Sequence, residues 1–112
     1  VLENHDGDYE LPGGGWEFDE TLELNLAREI LEELGVAVDR VNPDILGAYR
    51  GRNPYGMTLR IVVNATLKSY DFEPVDMVRA WFVSRDEFMK MDFKPTADEG
   101  MKDLADIIWS DV

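Results

Sequence analysis

The chain has 112 residues, 45% of them apolar, and no cysteine; that length suits a single domain with its own core, the apolar share argues against disorder, and disulfides and thiolate metal sites are excluded. Acidic residues number 24 against 11 basic, a net charge of −13, which repels nucleic-acid backbones and anionic lipid alike, so neither long polynucleotides nor membranes are expected partners. No apolar run could span a bilayer and no signal-peptide order opens the chain, so a cytoplasmic protein is expected.

Val1 to Asn4 and Tyr9 to Leu11 read as two extended pieces joined by the turn His5-Asp6-Gly7-Asp8, which predicts a hairpin with His5 exposed on it. Gly13-Gly14-Gly15 follows, where the backbone is free to approach a ligand closely. Ala27, Ile30, Leu31 and Leu34 keep helical spacing after polar Asp19 and Thr21 and before Gly35, which predicts a helix over Thr21 to Leu34. Short extended segments are expected at Val36 to Val38 and Asp44 to Tyr49, a loop at Arg50 to Gly56, and a strong strand at Thr58 to Lys68. After a loop at Tyr70 to Asp76 comes a strand at Val78 to Val83. Two capping boxes then start helices, Ser84 with Glu87 and Thr96 with Glu99, the second running to about Trp109. The order implies an α/β (α+β) domain with helices packed on a mixed sheet.

On the first helix Glu29, Glu32 and Glu33 share one face. Carboxylates so spaced repel one another and stand away from the helix N-terminus that would favour them, so a compensating positive charge is expected. An acidic helical stretch is most often a solvated face; the alternative is a hard divalent cation, which takes carboxylate oxygens, waters and phosphate oxygens.

The context favours the second reading. Gly14, five residues, Glu20, seven residues, Arg28-Glu29, apolar Ile30, Leu31, Glu32-Glu33, Leu34, Gly35 and apolar Val36 resemble the Nudix box of the Nudix hydrolases at every defined position. Leu11-Pro12-Gly13-Gly14-Gly15, leading into it, also looks like that family, and the Trp81-Phe82 strand with the following Asp86-Glu87-Phe88 helix adds a weaker likeness. The resemblance implies a Nudix-type α/β/α sandwich and a magnesium-dependent hydrolase, with manganese as the other candidate ion, cutting the diphosphate linkage of a nucleoside diphosphate joined to another group. It implies Glu32 and Glu33 as main metal ligands, Glu29 as a further ligand or the residue that positions the attacking water, and the Gly13 carbonyl as another ligand. Arg28 would hold the carboxylates by ion pairing, and Glu20 would pair with the box from the loop.

Members of this family often recruit a distant acid as ligand or general base. Glu73 and Asp76 are the candidates, with Glu99 behind them, although Glu99 is already explained as a helix cap. Arg50 and Arg52 are candidates for holding substrate phosphates, and Trp16 and Tyr55 for stacking on a base, whereas core packing is expected of Tyr49. Only Val1 to Leu11 precedes the glycine loop, less strand sequence than the family domain usually has. An N-terminally truncated domain with an open sheet edge is therefore expected, and with it a homodimer. Two other classes compete: a non-catalytic Nudix-like nucleotide-binding or regulatory module, and an unrelated acidic cation-binding domain such as a calcium buffer. The intact box acids argue against the first, and the lack of an EF-hand loop against the second.

Overall fold

The computed structural model describes every residue except Pro54, residues 94–96, Asp98 and residues 111–112, and the side chains of Arg52, Asn53 and Glu99 lie outside the described set. The chain opens with the expected hairpin. β1 (Leu2–Glu3) pairs antiparallel with β2 (Tyr9–Glu10), and the turn between them is tied by Asn4, whose Oδ1 accepts the amides of Asp6 and Asp8, each at 3.0 Å. Gly7 takes the positive φ of +83° that the turn needs.

α1 (Leu22–Leu34) starts and stops where its caps predict. Thr21 Oγ1 accepts the Leu24 amide at 3.2 Å, and Gly35, at φ +70°, donates its amide to Leu31 O at 3.0 Å. Its inner face places Ile30 and Leu34 with Leu2 and Val36 in one core cluster, joined by Leu26, Val38, Leu67 and Phe72. Leu31 is off that face and 56% exposed, because one residue after Ile30 the helix has turned by about 100°.

β3 (Val38–Asn53) and β4 (Gly56–Leu67) form a long antiparallel hairpin. Of the loop expected at Arg50 to Gly56, Tyr55 alone is turn among the described residues. Gly51 pairs with Thr58, Arg52 with Met57 and Asn53 with Gly56, so ladder bonds carry residues whose local chemistry favours a turn. Register shifts at Val38/Arg40, Val41/Ile45 and Ile45/Gly47 absorb the irregular stretch around Pro43. One face of the hairpin turns Tyr49 and Val62 into a second core cluster with Phe88, Phe93, Ala97, Met101 and Ala105. The other leaves Ile45, Met57, Leu59 and Ile61 exposed, and among the described residues β4 pairs with no strand but β3.

The expected strand at Val78 to Val83 shrinks to β5 (Arg79–Ala80), paired antiparallel with β1. Its ends are held by Val78 N to Glu3 O at 2.8 Å and Trp81 N to Val1 O at 3.0 Å. β1 is short, so little ladder is available to it. Ser84 and Glu87 form the expected capping box at the start of α2 (Arg85–Lys90). Thr96 and the side chain of Glu99 lie outside the described residues, and the expected capping box between them lies there too. In place of one longer helix, a 3-10 helix (Glu99–Leu104) runs into α3 (Ala105–Ile108), with Gly100, a poor helix former, in its first turn.

The fold is thus mixed α+β, with helices against both core clusters. Where one mixed sheet was expected, the described strands form two antiparallel sheets, β2-β1-β5 and β3-β4, because neighbours are either joined by tight turns or return in the opposite sense. No helix among the described residues is long and apolar enough to cross a membrane.

Candidate active site

The glycine loop folds back along α1, from Glu33 to Asn25, and is fastened by side chains of that helix. Arg28 grips Glu20 with two arms, Nε to Oε2 at 2.7 Å and Nη2 to Oε1 at 2.9 Å. Its Nη1 donates to Glu29 Oε1 at 2.8 Å and reaches Glu32 Oε2 at 3.5 Å, while Nη2 also donates to Gly15 O at 3.0 Å. A planar guanidinium serves four acceptors in this way where a lysine could not. The Arg28 pair holds the Glu20 carboxyl down at about 2, and Glu20 and Glu29 together raise the pKa of Arg28 further. Asn25 Nδ2 adds a bond to Gly15 O at 2.9 Å, Trp16 Nε1 one to Glu20 O at 2.7 Å, and the Glu17 amide one to Glu20 Oε1 at 2.9 Å.

Glu33 lies on the other side of the helix face from Glu32. It is 7% exposed, and its Oε1 accepts the Gly13 amide at 2.7 Å. Gly13 sits at φ +139°, open to glycine alone. Burial pushes the Glu33 carboxyl up to about 8 against the pull of the Gly13 hydrogen bond, and Glu29, Glu10 and Glu32 add repulsion. Gly14 supplies the remaining space: a Cβ there would collide with the Glu29 carboxylate. Two carboxylates of α1, Glu33 at Gly13 and Glu29 at Gly14, thus lie against the glycine backbone, with Glu32 and Glu10 near enough to repel Glu33.

The donor set fits a hard divalent cation in chemistry. Glu33 is a buried carboxylate with acid neighbours, and the guanidinium of Arg28 is committed to Glu20, Glu29 and Gly15. Yet among the described residues no three acid or histidine side chains already converge as an ion cage. Glu29 turns toward Arg28, and Glu33 turns toward the Gly13 amide. A cavity of about 550 Å³ at the base of the hairpin, lined by Arg40, Asn42, Pro43, Asn64 and Thr66, includes none of these residues.

Glu73 closes the C-terminus of α1, its amide donating to Leu34 O at 2.8 Å, and Asp76 is exposed in the loop that follows. The side chains of Glu99 and Arg52 lie outside the described residues. Arg50 is exposed on β3 rather than in a loop, Tyr55 is 97% exposed at the hairpin tip, and Tyr49 is buried in the core as expected. Trp16, half exposed, stays beside the glycine loop.

Two residues of the arrangement escaped sequence reasoning. Glu10 comes from β2, and nothing local in the sequence links it to α1. Asn25 had a signal: it precedes Arg28 by three residues and Glu29 by four, helical spacing that puts it on the same face. No curated protein sequence matches the chain. A family model describing a NUDIX domain matches residues 2–104, a span that takes in the glycine loop, the Arg28 network, the helix acids and both sheets, and the chain therefore belongs to the Nudix family.

Proposed function

We propose that the protein is a divalent-cation-dependent hydrolase that cleaves the diphosphate linkage in a nucleoside diphosphate joined to a further group. The Nudix family is of pyrophosphohydrolase type, acts on small nucleotide-type substrates and generally uses divalent cations. The observation that supports the reading most directly is Glu33, a carboxylate buried against the Gly13 amide at 2.7 Å with Glu29, Glu32 and Glu10 around it. Such a group gains from a nearby cation more than an exposed one does, because water screens it less.

Glu29, Glu32 and Glu33, with the Gly13 carbonyl, would hold Mg²⁺, or Mn²⁺ in its place. When bound, the ion would offset the charge of the diphosphate and acidify a water. The rest of the work belongs to the chain. Gly13 holds Glu33 by its amide and so fixes which face of the carboxylate is left for binding. Arg28 restricts Glu29 to one orientation, from which that acid positions the attacking water. Glu20 keeps Arg28 in place, so that the guanidinium is not drawn onto the substrate's phosphates. Trp16, half exposed beside the loop, offers a face on which a base stacks.

The test is release of phosphate or nucleotide from ADP-ribose, nucleoside triphosphates, dinucleoside polyphosphates and nucleotide sugars, with and without Mg²⁺, by wild type and Glu33→Gln. Metal-dependent hydrolysis that the substitution abolishes is the expected result. A folded wild type that binds Mg²⁺ and hydrolyses none of these would instead make the protein a binding or regulatory module.

A further inference from the structure

We propose that Asn25 is a positioning residue of this site, whose buried carboxamide keeps the glycine loop, and through it Arg28 and Glu29, in register with α1. The proposal rests on the reading of the site given above. Asn25 is 7% exposed in a helix interior. Both circumstances disfavour it, since Asn competes with the backbone for hydrogen bonds and a buried amide without partners is costly.

Its two N–H groups meet both objections. Nδ2 donates to Gly15 O at 2.9 Å and to Glu20 Oε1 at 3.4 Å. Arg28 Nη2 donates to the same carbonyl at 3.0 Å and to the same carboxylate oxygen at 2.9 Å. Every loop acceptor that Asn25 takes is therefore one that Arg28 also takes.

The duplication matters because Arg28 has other calls on its charge. Its Nη1 serves Glu29 and Glu32 while Nε and Nη2 serve Glu20, so one guanidinium answers to the helix acids as well as to the loop. With Arg28 as the sole fastener, the loop would loosen whenever the guanidinium turned away. Asn25 holds Gly15 and Glu20 whichever way Arg28 points, and it does so without adding a positive charge that would oppose cation binding at the acids. An uncharged side chain with two donors on one nitrogen is a carboxamide, and asparagine has the shorter reach.

The experiment compares wild type, Asn25→Ala and Asn25→Asp. Asn25→Ala removes both donors without adding charge, and Asn25→Asp keeps the size of the side chain while setting acceptors against Gly15 O and Glu20 in place of donors, so a clamping role survives neither. The measurements are kcat and KM on the substrate found in the panel, the thermal midpoint in chelator, and amide hydrogen exchange at Gly13 and Glu17 against Ile30 and Leu34.

In both variants kcat should fall by roughly 10- to 100-fold with KM changed by less than about threefold, because a misplaced group costs rate more than binding. Exchange at Gly13 and Glu17 should speed up by about tenfold while the helix amides keep wild-type rates. Wild-type loop exchange in Asn25→Asp would overturn the proposal, as would a kcat loss matched by an equal loss of folded protein. If wild type hydrolyses nothing, the functional reading fails on its own, and the exchange rates still decide whether Asn25 holds the loop.

Discussion

Replacing Glu33 by glutamine should stabilise the cation-free protein at neutral pH while removing its activity. The carboxyl is pushed up from 4.5 to about 8 in the folded state. Between those values the folded chain keeps a proton that the unfolded chain releases, so stability is full below about pH 4.5 and is lost as pH rises through about 8. At ~1.4 kcal/mol per pH unit the whole interval caps the loss at roughly 4–5 kcal/mol, and water that reaches the group reduces it to about 1–2 kcal/mol. Glutamine copies the protonated shape, still accepts the Gly13 amide and does not titrate. Thermal melts in chelator from about pH 5 to about pH 8.5 should therefore show the variant gaining on wild type as pH rises, by roughly 4–10 °C at the top of the range. Excess Mg²⁺ should raise the wild-type midpoint at high pH and leave the variant where it was. Parallel curves for the two proteins in chelator would refute the claim that Glu33 is charged at a cost.

Gly14→Ala separates space from backbone freedom, because Gly14 is not among the positive-φ glycines and the atoms nearest the new methyl are those of the Glu29 carboxylate. The fold should lose less than about 1 kcal/mol while kcat drops by about 100-fold, measured by melting and steady-state assay. Gly35→Ala should behave in the opposite way. Its φ of +70° and the Glu73 carbonyl, 2.5 Å from where a Cβ would stand, predict about 1–2 kcal/mol of lost stability by urea titration, with little change in kcat for the protein that remains folded. Phe88 is 1% exposed and packs its ring on Phe93 and Trp109 at 5.1 Å each, so Phe88→Ala should cost about 3–5 kcal/mol, read as a midpoint lowered by more than 10 °C, roughly.

Much of the site was legible in the sequence because its signals are short-range. Thr21, the apolar spacing and Gly35 bound α1 within a residue of where it lies, and the order of residues from Gly14 to Val36 marked the acids, Arg28 and Glu20 before any tertiary contact was known. The Ser84 and Glu87 box likewise needed only its own residues. Caps and helical periodicity are decided within a turn or two, and so they survive without knowledge of the rest of the chain.

Tertiary structure decided what depends on distant partners. Gly51, Arg52 and Asn53 read as loop, yet pairing with Thr58, Met57 and Gly56 holds their backbone extended, and Gly51 leaves room for the Arg60 side chain that lies over it. Glu73, a reserve acid by sequence, also closes the helix by its backbone, a contact that nothing local in the sequence announces. Glu33 differs from Glu32 in no way that sequence reveals; one is buried against Gly13 and the other is half exposed. Which carboxylate bears the strain of an uncompensated charge is set by the loop that folds over it and by Glu10 arriving from another strand, because desolvation and repulsion depend on distance through space and not on separation along the chain.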